Sequence, residues 1–217
     1  MKFFFAIAFL LSTAVSSFAQ GTVRFSNDST DLPSPPDRFV RYGDAASFFN
    51  PAYTYGSRVF SNGTPGLRAQ LYYGASTASQ SSLVAVTASP VTFKSSTSAN
   101  VGTWFSGGRN LDGFESGTVN LQVRVWDINL ASSFEAAEAL GAAYTGLIGY
   151  SLMFQYTIPT DPLSPLSAFN MQGLQTFSIG NVFYDSITVP EPSTVALLLM
   201  GGGFLFVQLK FPRRRRD

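Results

Sequence analysis

The chain has 217 residues and a formal net charge of +1, and it contains no cysteine and no histidine. These two absences exclude disulfides, thiolate or Ser-His-Asp catalysis, and metal sites ligated by Cys or His. With 45% hydrophobic, 15% aromatic and 12% charged residues, the composition predicts a packed core rather than a disordered chain.

The N-terminus has the pattern of a secretory signal peptide. Lys2 precedes the unbroken apolar run 3–11, and Ser17 and Ala19 put small residues at the −3 and −1 positions of a cleavage site. The run is too short to span a hydrocarbon core about 30 Å thick. We therefore predict that residues 1–19 are removed by cleavage between Ala19 and Gln20. An N-terminal core strand or helix is the alternative.

Between residues 20 and 188 the hydrophobic pattern has mostly the period of two that is typical of β-strands. The clearest strand is 118–128, in which Val119, Leu121, Val123 and Val125 face one side and Asn120, Gln122, Arg124 and Trp126 the other. Further strands are predicted at 21–26, 67–73, 83–86, 91–93, 101–105, 150–158, 174–179 and 182–189, and a loop-rich segment at 27–66.

One short helix is predicted directly after the clearest strand. Ser132 is the expected N-cap, Glu135 occupies the capping-box position, and Gly141 is the C-terminal stop. Many strands with one short helix predict a mainly β fold, specifically an antiparallel β-sandwich of jelly-roll type. Residues 20–188 are the expected extracytoplasmic domain.

The C-terminus combines three elements in order. The first is the motif Val189, Pro190, Glu191, Pro192 and Ser193. The second is the apolar stretch 194–211, whose 18 residues form a helix about 27 Å long, enough for a thin bilayer. The third is the run Arg213, Arg214, Arg215 and Arg216. Arginines beside a membrane span stay in the cytoplasm, so the preceding domain is expected on the outer, periplasmic side.

These three elements resemble the PEP-CTERM sorting signal of Gram-negative bacteria. The resemblance implies that exosortase, a membrane-embedded enzyme, recognises the tail and removes it near the motif. The mature protein would then leave its transient inner-membrane anchor for the cell surface or the extracellular matrix. An ordinary membrane tail anchor is the alternative. Segments 20–23, 67–74, 122–127 and 134–137 are also similar to PEP-CTERM proteins of environmental bacteria such as Verrucomicrobia, a similarity that implies no known activity.

Extracellular polysaccharide is a possible ligand of the β domain, because aromatic side chains can stack on sugars. The candidates for stacking are Tyr53, Tyr55, Trp104 and Trp126. A role in the hydrophobic core is the alternative for all four. No residue is predicted to be catalytic, because the carboxylates do not show the spacing of a catalytic pair.

Cofactors are not expected, although two oxygen-rich clusters leave a structural calcium ion open. The clusters are Asn27, Asp28 and Asp31, and the segment 112–115; solvated turns are the alternative. Residues 20–189 carry eight Lys/Arg and eleven Asp/Glu, a net charge of −3, which argues against nucleic-acid binding. We predict an exported, non-catalytic structural or adhesive protein. The alternatives are a carbohydrate-binding module and a carboxylate-dependent glycoside hydrolase.

Overall fold

The computed structural model describes residues 21–28, 37–44, 46, 51, 53–60, 66–161 and 163–180. This part of the chain is mainly β with one short α-helix, as predicted. The strands are β1 (Gly21–Ser26), β2 (Val40–Tyr42), β3 (Leu67–Ala75), β4 (Val84–Ala85), β5 (Val91–Thr92), β6 (Phe105–Leu111), β7 (Gly117–Asp127), β8 (Ile148–Tyr150), β9 (Phe154–Ile158) and β10 (Phe177–Ile179). The helix is α1 (Phe134–Leu140).

The longest strand, β7, is the centre of the main sheet. It pairs with β3 in antiparallel register from Leu67↔Asp127 to Ala75↔Val119. The opposite edge of β7 pairs with β9 along its first half and with β8 along its second half. Strands β4 and β5 extend the sheet beyond β3. The alternating pattern that predicted β7 therefore corresponds to a strand with neighbours on both sides.

Two smaller strand pairs complete the described β structure. Strands β1 and β6 are antiparallel, whereas β2 and β10 are parallel. The parallel pair departs from the all-antiparallel prediction. Parallel strands need a long crossover connection, and the chain between Tyr42 and Phe177 provides one because it contains almost the whole of the main sheet.

The principal core forms on one face of the main sheet. Val119, Leu121, Val123 and Val125 of β7 are all fully buried. They belong to one hydrophobic cluster with Val23 and Phe25 of β1 and with Val40 and Tyr42 of β2. Burial of each such aliphatic side chain contributes about 1.5–3 kcal/mol, so this cluster joins the small strand pairs to the main sheet.

A second hydrophobic cluster covers the other face of β7. Trp126 is fully buried there together with Tyr72 of β3 and with Phe134 and Ala137 of α1. The amphipathic helix thus buries its apolar face on the side of β7 that carries the polar residues. As a result, every residue of β7 from Val119 to Asp127 is buried.

Helix α1 begins one residue later than predicted. Its N-cap is Ser133, whose hydroxyl accepts a hydrogen bond from the backbone N–H of Ala136, so the prediction of Ser132 was wrong. The helix ends at Gly141 as expected, with a φ of 53°. The shift places Glu135 in the first turn, one position before the capping-box site.

Several strand boundaries differ from the predicted ones. The strand predicted at 101–105 is wrong, because Gly102 has a φ of 84° and the strand β6 begins only at Phe105. The strand predicted at 150–158 is interrupted, because the hydroxyl of Ser151 accepts the hydrogen bond of the Val123 N–H at 3.0 Å. The predicted loop-rich segment contains β2, and the predicted strand 182–189 lies outside the described residues.

Candidate functional site

A surface pocket with a volume of about 470 Å³ lies between helix α1 and the 3₁₀ turn Gln80–Ser82. We call it the Arg124 pocket. It is lined by Ser79, Gln80, Ser81, Leu83, Arg124, Glu135 and Glu138.

The guanidinium of Arg124 holds the two walls of the pocket together. Its Nη2 donates to the backbone oxygen of Gln80 at 2.7 Å, and its Nη1 pairs with Oε1 of Glu135 at 3.2 Å. Its Nε donates to Oε1 of Gln122 at 2.9 Å. Because these contacts join the 3₁₀ turn and the helix to β7, the walls of the pocket are fixed relative to one another.

Two aromatic rings pack against the same guanidinium. The Cζ atom of Arg124 lies 4.0 Å from the ring centre of Tyr72 and 5.1 Å from that of Phe134. The side chain is 7% exposed, so these cation–π contacts are largely shielded from water. Tyr150, on β8, is paired directly opposite Arg124 in the sheet and is partly exposed.

The electrostatics of the pocket are mildly negative. Burial is the main reason that the pKa of Tyr72 is raised, and the hydrogen bond and charge of Glu135 raise it further. The Tyr72 hydroxyl therefore stays neutral. Glu138 is exposed, and its carboxylate has no ion pair with any residue that the structure describes. One guanidinium and two carboxylates therefore leave the Arg124 pocket with a net charge of −1.

The sequence placed Arg124 correctly on the polar side of β7 but gave no indication of a pocket there. Two signals could have revealed it. Trp126 lies on the same side and is too large and apolar to be left in water. Helix α1 follows β7 closely and has its own apolar face to bury. Together they indicate that the polar side of β7 is covered.

The aromatic residues predicted to stack on sugars are mostly buried. Trp104 and Trp126 are 0% exposed and Tyr53 is 6% exposed. Trp104 packs on Phe25, and Tyr53 stacks on Tyr42 at a ring distance of 4.6 Å. A stacking platform needs an open ring face, so the prediction was wrong for these three residues as they lie in the fold.

Tyr55 differs from the other three aromatic candidates. It is 67% exposed, so its ring remains open to a ligand. The residue lies apart from the lining of the Arg124 pocket. The structure therefore does not bring the four predicted residues together into one binding surface.

The first candidate calcium cluster is used to fix loops. The Nδ2 of Asn27 donates to the backbone oxygens of Arg38 at 2.9 Å and Gly102 at 3.0 Å, and its Oδ1 accepts from the N–H of Trp104. Asp28 forms an ion pair with Lys94. Asp31 lies outside the described residues. Asn27 is thus a buried structural residue, a role that its sequence context did not reveal.

The second candidate calcium cluster is similarly engaged. The Oδ2 of Asp112 accepts a hydrogen bond from the Thr87 hydroxyl at 2.9 Å, and its backbone oxygen is near the Tyr73 hydroxyl. Within the ranges described above, no three acidic side chains come close enough to hold a metal ion.

Several predicted segments lie outside the described residues. They are the signal peptide (1–19) with its cleavage site at Ala19 and Gln20, the motif 189–193, the apolar stretch 194–211 and Arg213–Arg216. The described part ends at Gly180, directly after β10. Gly180 exchanges two backbone hydrogen bonds with Ile148 of β8, at 2.8 and 3.0 Å. None of the helices in the described part has both the length and the apolar character needed to cross a bilayer.

Comparison with known proteins identifies the C-terminal segment. No curated protein and no solved structure matches the chain, so the similarity to proteins of Verrucomicrobia has no support. Residues 188–215 match the family model of the PEP-CTERM protein-sorting motif. Such a motif implies export, with exosortase as the processing partner and the cell surface as the destination. This chain therefore carries a PEP-CTERM sorting motif at its C-terminus.

Proposed function

We propose that this protein is a surface or extracellular-matrix component that exosortase sorts and cleaves, and that its β domain has a structural or adhesive, non-catalytic role. The match of residues 188–215 to the sorting motif carries the proposal. In this account residues 1–19 direct export, residues 20–188 are the mature domain, and residues 194–211 are a transient inner-membrane anchor.

The chemistry of the motif suits a protease substrate. Pro190 and Pro192 lack a backbone N–H and have a fixed φ, so this stretch cannot continue a neighbouring helix. The arginine run Arg213–Arg216 is expected on the cytoplasmic side of the membrane, which places the motif on the opposite, outer side, where the mature protein is to be released.

We also propose that the domain is a β-sandwich of the jelly-roll type. The support is the hydrophobic cluster in which β1 and β2 share buried residues with β3 and β7. A core of this size suits a secreted domain without disulfides, because a domain of well over 100 residues can be stable through its core alone.

The absence of a catalytic role is supported by the chain's composition and by the contacts of two of its acids, Asp37 and Asp127. The sequence has no histidine and no cysteine. Asp37 pairs with Arg41 at 2.7 Å, and Asp127 accepts the backbone N–H groups of Gly66 and Asn129. These carboxylates are occupied in positioning loops.

The proposal is tested by the location of the protein in cells with and without exosortase. The protein should reach the surface fraction in the presence of the enzyme and remain in the inner membrane in its absence. The double variant Pro190→Ala/Glu191→Gln should remain in the membrane even in cells with the enzyme. Glu115→Gln is the matched control, because it makes the same charge change on the exposed turn before β7. Surface delivery that is unaffected by loss of the enzyme would contradict the proposal.

A further inference from the structure

The Arg124 pocket is preformed on the face of the domain that α1 covers. Its floor is a guanidinium clamped by Gln80, Gln122 and Glu135. The 3₁₀ turn is held from a second point, because Nδ2 of Asn120 donates to the backbone oxygen of Ala78 at 3.1 Å. A ligand would therefore meet a site that needs little ordering, which lowers the entropic cost of binding.

The lining offers both donors and acceptors of hydrogen bonds. The hydroxyls of Ser79 and Ser81 are exposed at one wall, 3.2 Å from each other. The carboxylate of Glu138 is exposed at the other wall. Of the five N–H donors of the Arg124 guanidinium, three bond to Gln80, Gln122 and Glu135, and Arg124 also has a hydrogen bond with the Tyr72 side chain. A ligand rich in hydroxyl groups matches this mixture, as sugars do.

The net negative charge of the pocket favours a positively charged sugar over a negatively charged one. Glu135 compensates Arg124 at 3.2 Å, which leaves the carboxylate of Glu138 without a compensating charge among the described residues. A uronic acid would bring a second negative charge close to this carboxylate. A sugar with an ammonium group would instead form a charge-assisted hydrogen bond with it, the stronger class of such bonds.

We propose that the Arg124 pocket binds an amino sugar with a free ammonium group, as a residue of an extracellular polysaccharide. The ammonium group pairs with Glu138, and the sugar hydroxyls bond to Ser79, Ser81 and the guanidinium. This inference rests on the proposed surface location, because only there does the pocket meet such a polysaccharide. It gives the adhesive role a site and a ligand class.

The test measures binding of a glucosamine tetramer to the full chain, purified in a detergent without a sugar headgroup, by titration calorimetry. The N-acetylglucosamine tetramer and the galacturonate tetramer serve as comparison ligands. Glu138→Gln keeps the shape of the side chain and removes its charge. We expect this variant to weaken binding of the glucosamine tetramer about two- to fivefold, the range expected for an ion pair at an exposed carboxylate. Glu115→Gln is the matched control and should leave the affinity unchanged.

The expected preference is for glucosamine over N-acetylglucosamine, with galacturonate the weakest. A Ser81→Ala variant, which changes an exposed position and leaves the charge intact, should weaken binding of both uncharged and charged tetramers. Failure to bind the glucosamine tetramer, equal binding of the acetylated one, or no effect of Glu138→Gln would each overturn the proposal. Surface delivery of Glu138→Gln is assayed in cells, to separate the hypothesis of sugar binding from that of sorting by exosortase. Loss of sugar binding should leave surface delivery intact.

Discussion

The burial of Trp126 leads to the most discriminating stability prediction. Its side chain is 0% exposed beneath α1, and its Nε1 donates to the backbone oxygen of Ala131 at 3.0 Å. Trp126→Ala would therefore open a cavity in the second hydrophobic cluster and leave a buried carbonyl without its donor. Replacing an exposed tryptophan that served only to stack on sugars would neither open a cavity nor leave a buried carbonyl without a donor.

The expected cost follows from the structure. Replacing a buried Trp with Ala typically lowers the free energy of unfolding by about 3–5 kcal/mol. Domains of this kind have total stabilities of about 5–15 kcal/mol, so the variant loses a large part of its stability. With a denaturant slope near 2.5 kcal/mol/M, the urea midpoint should fall by about 1–2 M.

The assay is urea-induced unfolding of the full chain, followed by far-ultraviolet circular dichroism. Tyr55→Ala is the matched control, because Tyr55 is 67% exposed and its loss should change the free energy of unfolding by about 0.5 kcal/mol or less. Equal midpoints for the two variants would refute the assignment of Trp126 to the core.

Three further predictions concern the helix, the tyrosines and the last strand. Ser133→Ala should lower the free energy of unfolding by about 1 kcal/mol, whereas Ser132→Ala should have little effect; the reverse order in urea titrations would contradict the observed N-cap. Burial raises the pKa of Tyr144 to about 12. Its contribution to stability is therefore complete below its unfolded pKa of about 10 and is lost as the pH rises toward 12. With no histidine in the chain, stability should change little between about pH 6 and 9, and a loss in that window in a pH series of thermal unfolding would contradict this. Gly149→Ala should destabilise by about 1–3 kcal/mol, because a Cβ there would lie 2.8 Å from a backbone oxygen of β10. Gly108→Ala, with open space around it, is the control, and equal thermal midpoints would contradict the close approach of β8 and β10.

The sequence could predict the strands whose side chains alternate strongly. Strand β7 was predictable because its valines and Leu121 mark one face. Strand β6 was not, because residues 105–111 include two adjacent glycines and no alternation of hydrophobic and polar residues. It forms because β1 supplies an antiparallel partner along its length. The three-residue strand β2 is too short for periodicity to detect, and it depends on pairing with β10.

Trp126 and helix α1 indicate that the polar side of β7 is covered, but the lining of the Arg124 pocket could not be predicted, because its parts are distant in sequence. Gln80 precedes Arg124 by 44 residues and Glu135 follows it by 11. Polar residues on a strand normally indicate a solvent-exposed face. Here Arg124 and Gln122 are buried because backbone and side-chain oxygens elsewhere satisfy their donors. Such satisfaction depends on tertiary contacts, which a periodicity argument does not contain.

The sorting tail shows the opposite case. Val189–Ser193, the apolar stretch and the arginine run were recognisable from order and composition alone, and the family model matches the same segment. A sorting signal is read by another protein as a linear segment, so its information is local. The chemistry of the β domain is distributed over several strands. For that reason the sequence indicated the destination of the protein more clearly than the ligand of its β domain.

Exosortase-dependent sorting and cleavage can be checked by the intact mass of the protein recovered from the surface of cells with active exosortase. We predict a mass that corresponds to a chain beginning at Gln20 and ending near Pro192, without the arginine run. In cells without the enzyme the mass should include the whole tail. A surface form that still carries Arg213–Arg216 in the presence of exosortase would show that the tail is not cleaved.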